Sequence, residues 1–138
     1  MRVVRLAVAG VLGLTALGAC SATGPSEVEL GAAFTLAPNQ TVRVASTDLT
    51  IGFRRVIGDS RCPVDLLCVV EGSAGVELDV FGAGANEPIV LESDTGRDRW
   101  TDGSYEIRLL GLQPAPTAER VIEPDEYRAE LIVTSAGL

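Results

Sequence analysis

Apolar residues recur at every second position through most of this chain, and that spacing constrains the fold more than any other feature. Phe34 and Leu36 alternate with polar or small neighbours, as do Val42 and Val44. Leu49, Ile51 and Phe53 continue the pattern, followed by Val76, Leu78 and Val80 around Glu77 and Asp79. Tyr105, Ile107 and Leu109 face one way while Glu106 and Arg108 face the other. Tyr127, Ala129, Leu131 and Val133 close the series. A period of two is the signature of a strand with one buried face. Turn-forming residues separate the runs: Pro38-Asn39, Gly58-Asp59, Gly82-Ala83-Gly84, Thr95-Gly96 and Asp102-Gly103. After the first 20 residues, only Thr117 to Ile122, between Pro116 and Pro124, has room for a helical turn. The pattern predicts an all-β domain of about seven or eight strands. An antiparallel β-sandwich, immunoglobulin-like in broad architecture, is the first expectation, and a small β-barrel is the alternative.

The beginning of the chain has a different character. Arg2 and Arg5 form a short positive head, and Leu6 to Leu17 is apolar or small apart from Thr15. That run of about 12 residues is too short for a membrane-spanning helix, which needs ~20, and fits the apolar region of a secretory signal. Leu17-Gly18-Ala19-Cys20 resembles the lipobox of bacterial lipoproteins. The resemblance implies cleavage before Cys20, lipidation of Cys20 and stable anchoring by more than one acyl chain. Ser21, where an aspartate would be the usual retention signal, implies the outer membrane if the cell has two. The expected organisation is a lipoprotein signal peptide over 1–19, the lipidated cysteine and a short tether over 20–32, and the β domain over 33–138. The expected location is the extracytoplasmic side of the cell envelope.

Composition narrows the chemistry. The full chain has 138 residues and a net charge of −8, which becomes −10 once Arg2 and Arg5 leave with the signal. Such a charge argues against nucleic acid and against binding anionic lipid by charge. Histidine, the commonest general base and metal ligand, is absent, and so is lysine. With Cys20 assigned to lipid, Cys62 and Cys68 remain. Two thiols without histidine fall short of a zinc site, and their spacing is not the Cys-x-x-Cys of a redox pair. Outside the cytosol a disulfide is the expectation, with Pro63 starting a turn that returns the chain towards Cys68.

The segment around this pair, Asp59-Ser60-Arg61-Cys62-Pro63 followed by Asp65, Cys68-Val69, Gly72 and Ala74, resembles a motif of uncharacterised bacterial lipoproteins and secreted proteins. In that group a DSRCP segment leads to a second cysteine and then to Trp-x-Gly-x-Ala. Val70 takes the tryptophan position here, so no role of that aromatic carries over. Leu112-Gln113-Pro114-Ala115-Pro116 and Tyr127-Arg128-Ala129-Glu130-Leu131 also resemble the group. The likeness implies a shared fold and assigns no activity or cofactor.

The remaining motifs give weak candidates. Glu92, Asp94, Asp98 and Asp102 crowd one segment, and such acids could supply calcium ligands, although Arg97 and Arg99 lie among them. Trp100 could anchor a partner or pack on the sheet. Arg61 could be a contact residue, or could pair with a carboxylate such as Asp65 while Asp59 pins the turn. Ser60 lacks a base to activate it. Gly82 to Glu87 lacks the third glycine and following helix of a dinucleotide loop, and Asn39-Gln40-Thr41 is a chance glycosylation match. The expected function is a non-catalytic, lipid-anchored envelope protein that binds an envelope partner or ligand, or serves structurally. A calcium-dependent binding module is the alternative, followed by a small carboxylate-based hydrolase.

Overall fold

The computed structural model describes residues 24–82, 84–94 and 96–137. The expected signal peptide, Cys20 and the first tether residues lie outside them. The strands are β1 (Ser26–Val28), β2 (Ala33–Leu36), β3 (Thr41–Val44), β4 (Thr50–Asp59), β5 (Ala74–Gly82), β6 (Ala85–Glu92), β7 (Arg99–Thr101), β8 (Tyr105–Gln113) and β9 (Arg128–Ser135). Among the described residues they form a five-stranded sheet, ordered β1-β3-β4-β5-β6, and a four-stranded sheet, ordered β2-β9-β8-β7. The sheets do not close into a barrel. They face each other as a β-sandwich, the first of the two expected architectures.

Connectivity is simpler than an immunoglobulin Greek key. Strands β3 to β6 follow one another as an antiparallel meander, and β7 to β9 make a second. β1 joins the first sheet parallel to β3, so the ordered domain starts before the expected boundary at residue 33. β6 carries Pro88 within the strand, and its edge position tolerates a residue with no N–H to donate.

The alternating residues supply the core. Leu36, Val44, Ile51, Phe53, Val76, Leu78, Val80, Ile107, Leu131 and Val133 are buried between the sheets. Two irregularities change the parity of the pattern. The β4–β5 register shifts between Phe53 and Arg55, so Arg54 and Arg55 both face solvent. There Arg54 reaches Asp79 at 2.8 Å and Arg55 reaches Glu77 at 2.6 Å. The β8–β9 register shifts between Leu109 and Gly111, which buries both Leu109 and Leu112 and leaves Leu110 exposed. A β-bulge adds one residue to one strand and re-aims those that follow. Thr117 to Ile122 makes no helix: Thr117 and Arg120 form an isolated bridge, and a short 3-10 turn follows over Pro124–Glu126.

Candidate functional site at the disulfide end

A third register shift, between Ile57 and Asp59, builds the site. Gly58 sits at φ +72°, a left-handed conformation that glycine adopts without steric cost. The shift places Asp59 opposite Ala74, which is fully buried. Cross-strand partners share a face, so Asp59 turns inward at the end of the sandwich.

There it meets Arg61. Arg61 Nε donates to Asp59 Oδ1 at 2.8 Å and Nη2 donates to Oδ2 at 2.7 Å, a two-pronged pairing that fits guanidinium to carboxylate. The Arg61 backbone N–H donates to Oδ1 at 3.2 Å and the Tyr127 hydroxyl donates to Oδ2 at 3.1 Å. Arg61 then crosses to the other sheet, donating to the carbonyls of Leu112 at 2.6 Å and Pro114 at 3.0 Å. One guanidinium thus ties β4 of the first sheet to the end of β8 in the second. The expected turn-pinning role of Asp59 is present. The expected pairing of Arg61 with Asp65 is not: Asp65 accepts instead from the Ala118 backbone N–H at 2.9 Å. The inward bulge is what brings Asp59, rather than Asp65, to Arg61.

Burial alone would raise the pKa of Asp59. The Arg61 side-chain and backbone hydrogen bonds, the Arg61 charge and the Tyr127 hydroxyl outweigh it and hold the carboxyl below its ordinary value. Tyr127 is pushed up, first by burial and then by its bond to the Asp59 carboxylate. The arrangement favours an Asp59–Arg61 ion pair beside a neutral phenol.

The disulfide loop stands on this base. Cys62 and Cys68 are bonded, with their Cα atoms 6.0 Å apart. The Val64 backbone N–H donates to the Pro116 carbonyl at 3.0 Å, a second tie, to the segment that follows β8. At the loop's exit, Ser60 and Ser73 close the neck: Ser60 N–H donates to the Ser73 carbonyl at 2.9 Å. The Ser60 hydroxyl donates to that carbonyl at 3.0 Å and accepts from Ser73 N–H at 3.2 Å. The Ser60 hydroxyl is thus engaged in closing the neck. Gly72 presses so closely that a Cβ there would stand 1.7 Å from the Ser60 carbonyl oxygen. Gly72 is thus fixed by close packing, and Ala74 next to the neck is fully buried.

The loop turns its apolar side chains outward. Leu67 and Val69 are fully exposed, and Val70 is 80% exposed. Val64 and Leu66 are also largely exposed. Beside the neck, an open depression of about 450 Å³ is lined by Ile57, Ser60, Ser73, Gly75, Val90 and Glu92. Glu92 is engaged there by the Ser73 hydroxyl and by Arg97, each at 2.9 Å. The sequence reading identified the cysteines, Asp59 and Arg61. It missed the outward apolar side chains and Tyr127, whose place two residues ahead of buried Ala129 carries no polar signal.

The acidic segment does not converge. Asp98 is buried against Arg108, which donates from Nε at 2.8 Å, and Arg99 at 3.4 Å. The Arg108 hydrogen bond is the main reason its carboxyl stays below the ordinary value. Asp94 pairs with Arg97 at 2.8 Å. Asp102 accepts from the backbone N–H groups of Ser104 and Tyr105 at 2.7 and 2.8 Å, folding its own turn. Asp94 and Asp102 each keep one oxygen without a hydrogen-bond partner. Even so, no three acidic, cysteine or histidine residues stand together to hold a metal among the described residues. Trp100 lies opposite inward-facing Ile107 and packs, partly buried, on the margin of the core. No protein-family model, curated protein or solved structure matches the chain.

Proposed function

We propose that this chain is a non-catalytic, lipid-anchored cell-envelope protein that makes its contacts through the disulfide end of the sandwich. The observation that carries the reading is the contrast between the loop's base and its tip. The base is held by a disulfide and by a partly buried Asp59–Arg61 pair that bridges both sheets. The tip presents Leu67, Val69 and Val70 to solvent. Contiguous exposed apolar surface on a small soluble domain marks an interaction site, and a rigid base limits the ordering cost of contact. The lipobox-like Leu17–Cys20 segment supports export and anchoring.

A photo-crosslinking residue at Leu67, compared with one at Phe81 in intact cells, tests the reading. Phe81 is exposed and lies opposite Thr50 at the other end of β4. Adducts from Leu67 and few from Phe81 are expected. Equal yields from both positions would contradict the assignment of the contact surface, and turnover of a hydrolase substrate by the purified chain would contradict the non-catalytic reading.

A further inference from the structure

We propose that the apolar tip of the disulfide loop is seated in the bilayer that anchors the protein, as a shallow wedge at the boundary between headgroups and acyl chains. The proposal rests on the anchoring of Cys20 and adds what the loop contacts.

The strand order supplies the geometry. Ser26 of β1 lies opposite Val42 of β3, and Val42 lies opposite Ile51 of β4. β1 runs parallel to β3 and therefore against β4. Stepping from Ser26 back to Gly24 moves in the direction of β4, towards Asp59. Gly24 stands near the level of Phe53, which exchanges backbone hydrogen bonds with Asn39 and Gln40 in the turn entering β3. Phe53 and Asp59 lie opposite Leu78 and Ala74, a separation of four β5 residues or about 13 Å at ~3.3 Å per residue. Cys20 precedes Gly24 by four residues, a reach of at most ~14 Å. An acylated Cys20 therefore keeps the bilayer close to Gly24, and the chain enters the sheet from the side on which β4 ends. The disulfide loop projects beyond Asp59 on that same side.

The chemistry of the tip agrees with this placement. Leu67 and Val69 are fully exposed, and Leu66 and Val70 flank Cys68 with more apolar surface. Asp65, the acid within the loop, is turned back to the Ala118 N–H. Glu71 borders the tip, and the whole chain is acidic. The surface that fits is thus a zwitterionic headgroup layer over hydrocarbon, with little anionic lipid.

The test uses the lipidated chain, extracted from membranes and reconstituted in phosphatidylcholine vesicles. Trp100→Phe removes the native fluorophore, and Val70→Trp places one at the tip. Phe81→Trp in the same background reports on the opposite end. Leu67→Trp is a second tip probe in case Val70→Trp alters the loop. A tip tryptophan is expected to emit at shorter wavelength and to be quenched by lipids brominated on their acyl chains, while the Phe81→Trp probe is not. Raising the anionic lipid fraction is expected to weaken that quenching. Mass spectrometry of the same vesicles reports the state of Cys20. Acylated protein with both tip probes emitting as in water and unquenched would overturn the wedge while leaving the anchor standing. Protein with an unmodified Cys20 would overturn the anchor, and the wedge with it.

Discussion

Replacing Arg61 by methionine tests how the disulfide end is held. The side chain donates four hydrogen bonds, to both oxygens of Asp59 and to the carbonyls of Leu112 and Pro114. The side chains of Arg61 and Asp59 are only 14% and 13% exposed. Methionine fills part of the volume and supplies no donor, so Asp59 keeps only Tyr127 and one backbone N–H. Breaking a buried pair by removing one partner costs ~3–5 kcal/mol, and the residual exposure here favours the lower end, about 3 kcal/mol. For a domain of this size that corresponds to a fall in Tm of roughly 10 °C. Urea unfolding under non-reducing conditions measures the loss. Asp59→Asn and the double variant complete a cycle, and groups in direct contact should show a coupling of ~0.5–3 kcal/mol. Acid provides an independent reading. Asp59 has a folded pKa below its unfolded value of about 3.9. Its contribution is therefore fully present above that pH and is lost as pH falls through the lower folded value. Asp59→Asn should flatten the loss of stability below about pH 4. A loss below about 1 kcal/mol for Arg61→Met, or strictly additive single variants, would refute the reasoning, because Asp59 would then lose its charged partner, and the sandwich all four Arg61 side-chain hydrogen bonds, at almost no cost.

Three further outcomes are expected. Cys62→Ser with Cys68→Ser should lower stability by about 2 kcal/mol, the chain-entropy value for so short a loop, measured by denaturant unfolding. Gly72→Ala should cost about 2–3 kcal/mol through overpacking against the Ser60 carbonyl, whereas Gly24→Ala, with open space around it, should change stability by less than about 0.5 kcal/mol. Leu67→Ser with Val69→Ser should leave the unfolding midpoint almost unchanged, within about 0.5 kcal/mol. The same pair should reduce crosslinking at the loop in cells.

The layers of the fold were legible because one buried face leaves a period-two trace, as in Val76, Leu78 and Val80 of β5. What interrupts that trace was harder to read. The register shifts at Arg54–Arg55 and Leu110–Gly111 add one residue each without changing composition, so nothing in the sequence announces that Leu109 and Leu112 both point inward. β1 escaped notice because three residues are too few to show a period and its parallel partner lies 16 positions away. The disulfide was legible from the count and spacing of the cysteines and from the expectation of export. The partner of Arg61 was not, since Asp59 and Asp65 are both near it in sequence. The choice depends on the Gly58 bulge, which turns Asp59 inward, and on Ala118, which draws Asp65 away from a distance of 53 residues. The acids from Glu92 to Asp102 looked like a cluster because they are neighbours in sequence. In space, Arg97 holds Glu92 and Asp94, Arg99 and Arg108 hold Asp98, and Asp102 folds its own turn.

Intact-mass analysis of protein extracted from native membranes, without reductant, reports the state of all three cysteines at once. The expected product is a chain that starts at Cys20, carries acyl groups there, and resists alkylation at Cys62 and Cys68 until reduced. A chain retaining Met1, free of fatty adduct and alkylated at all three sulfurs without reductant, would contradict it.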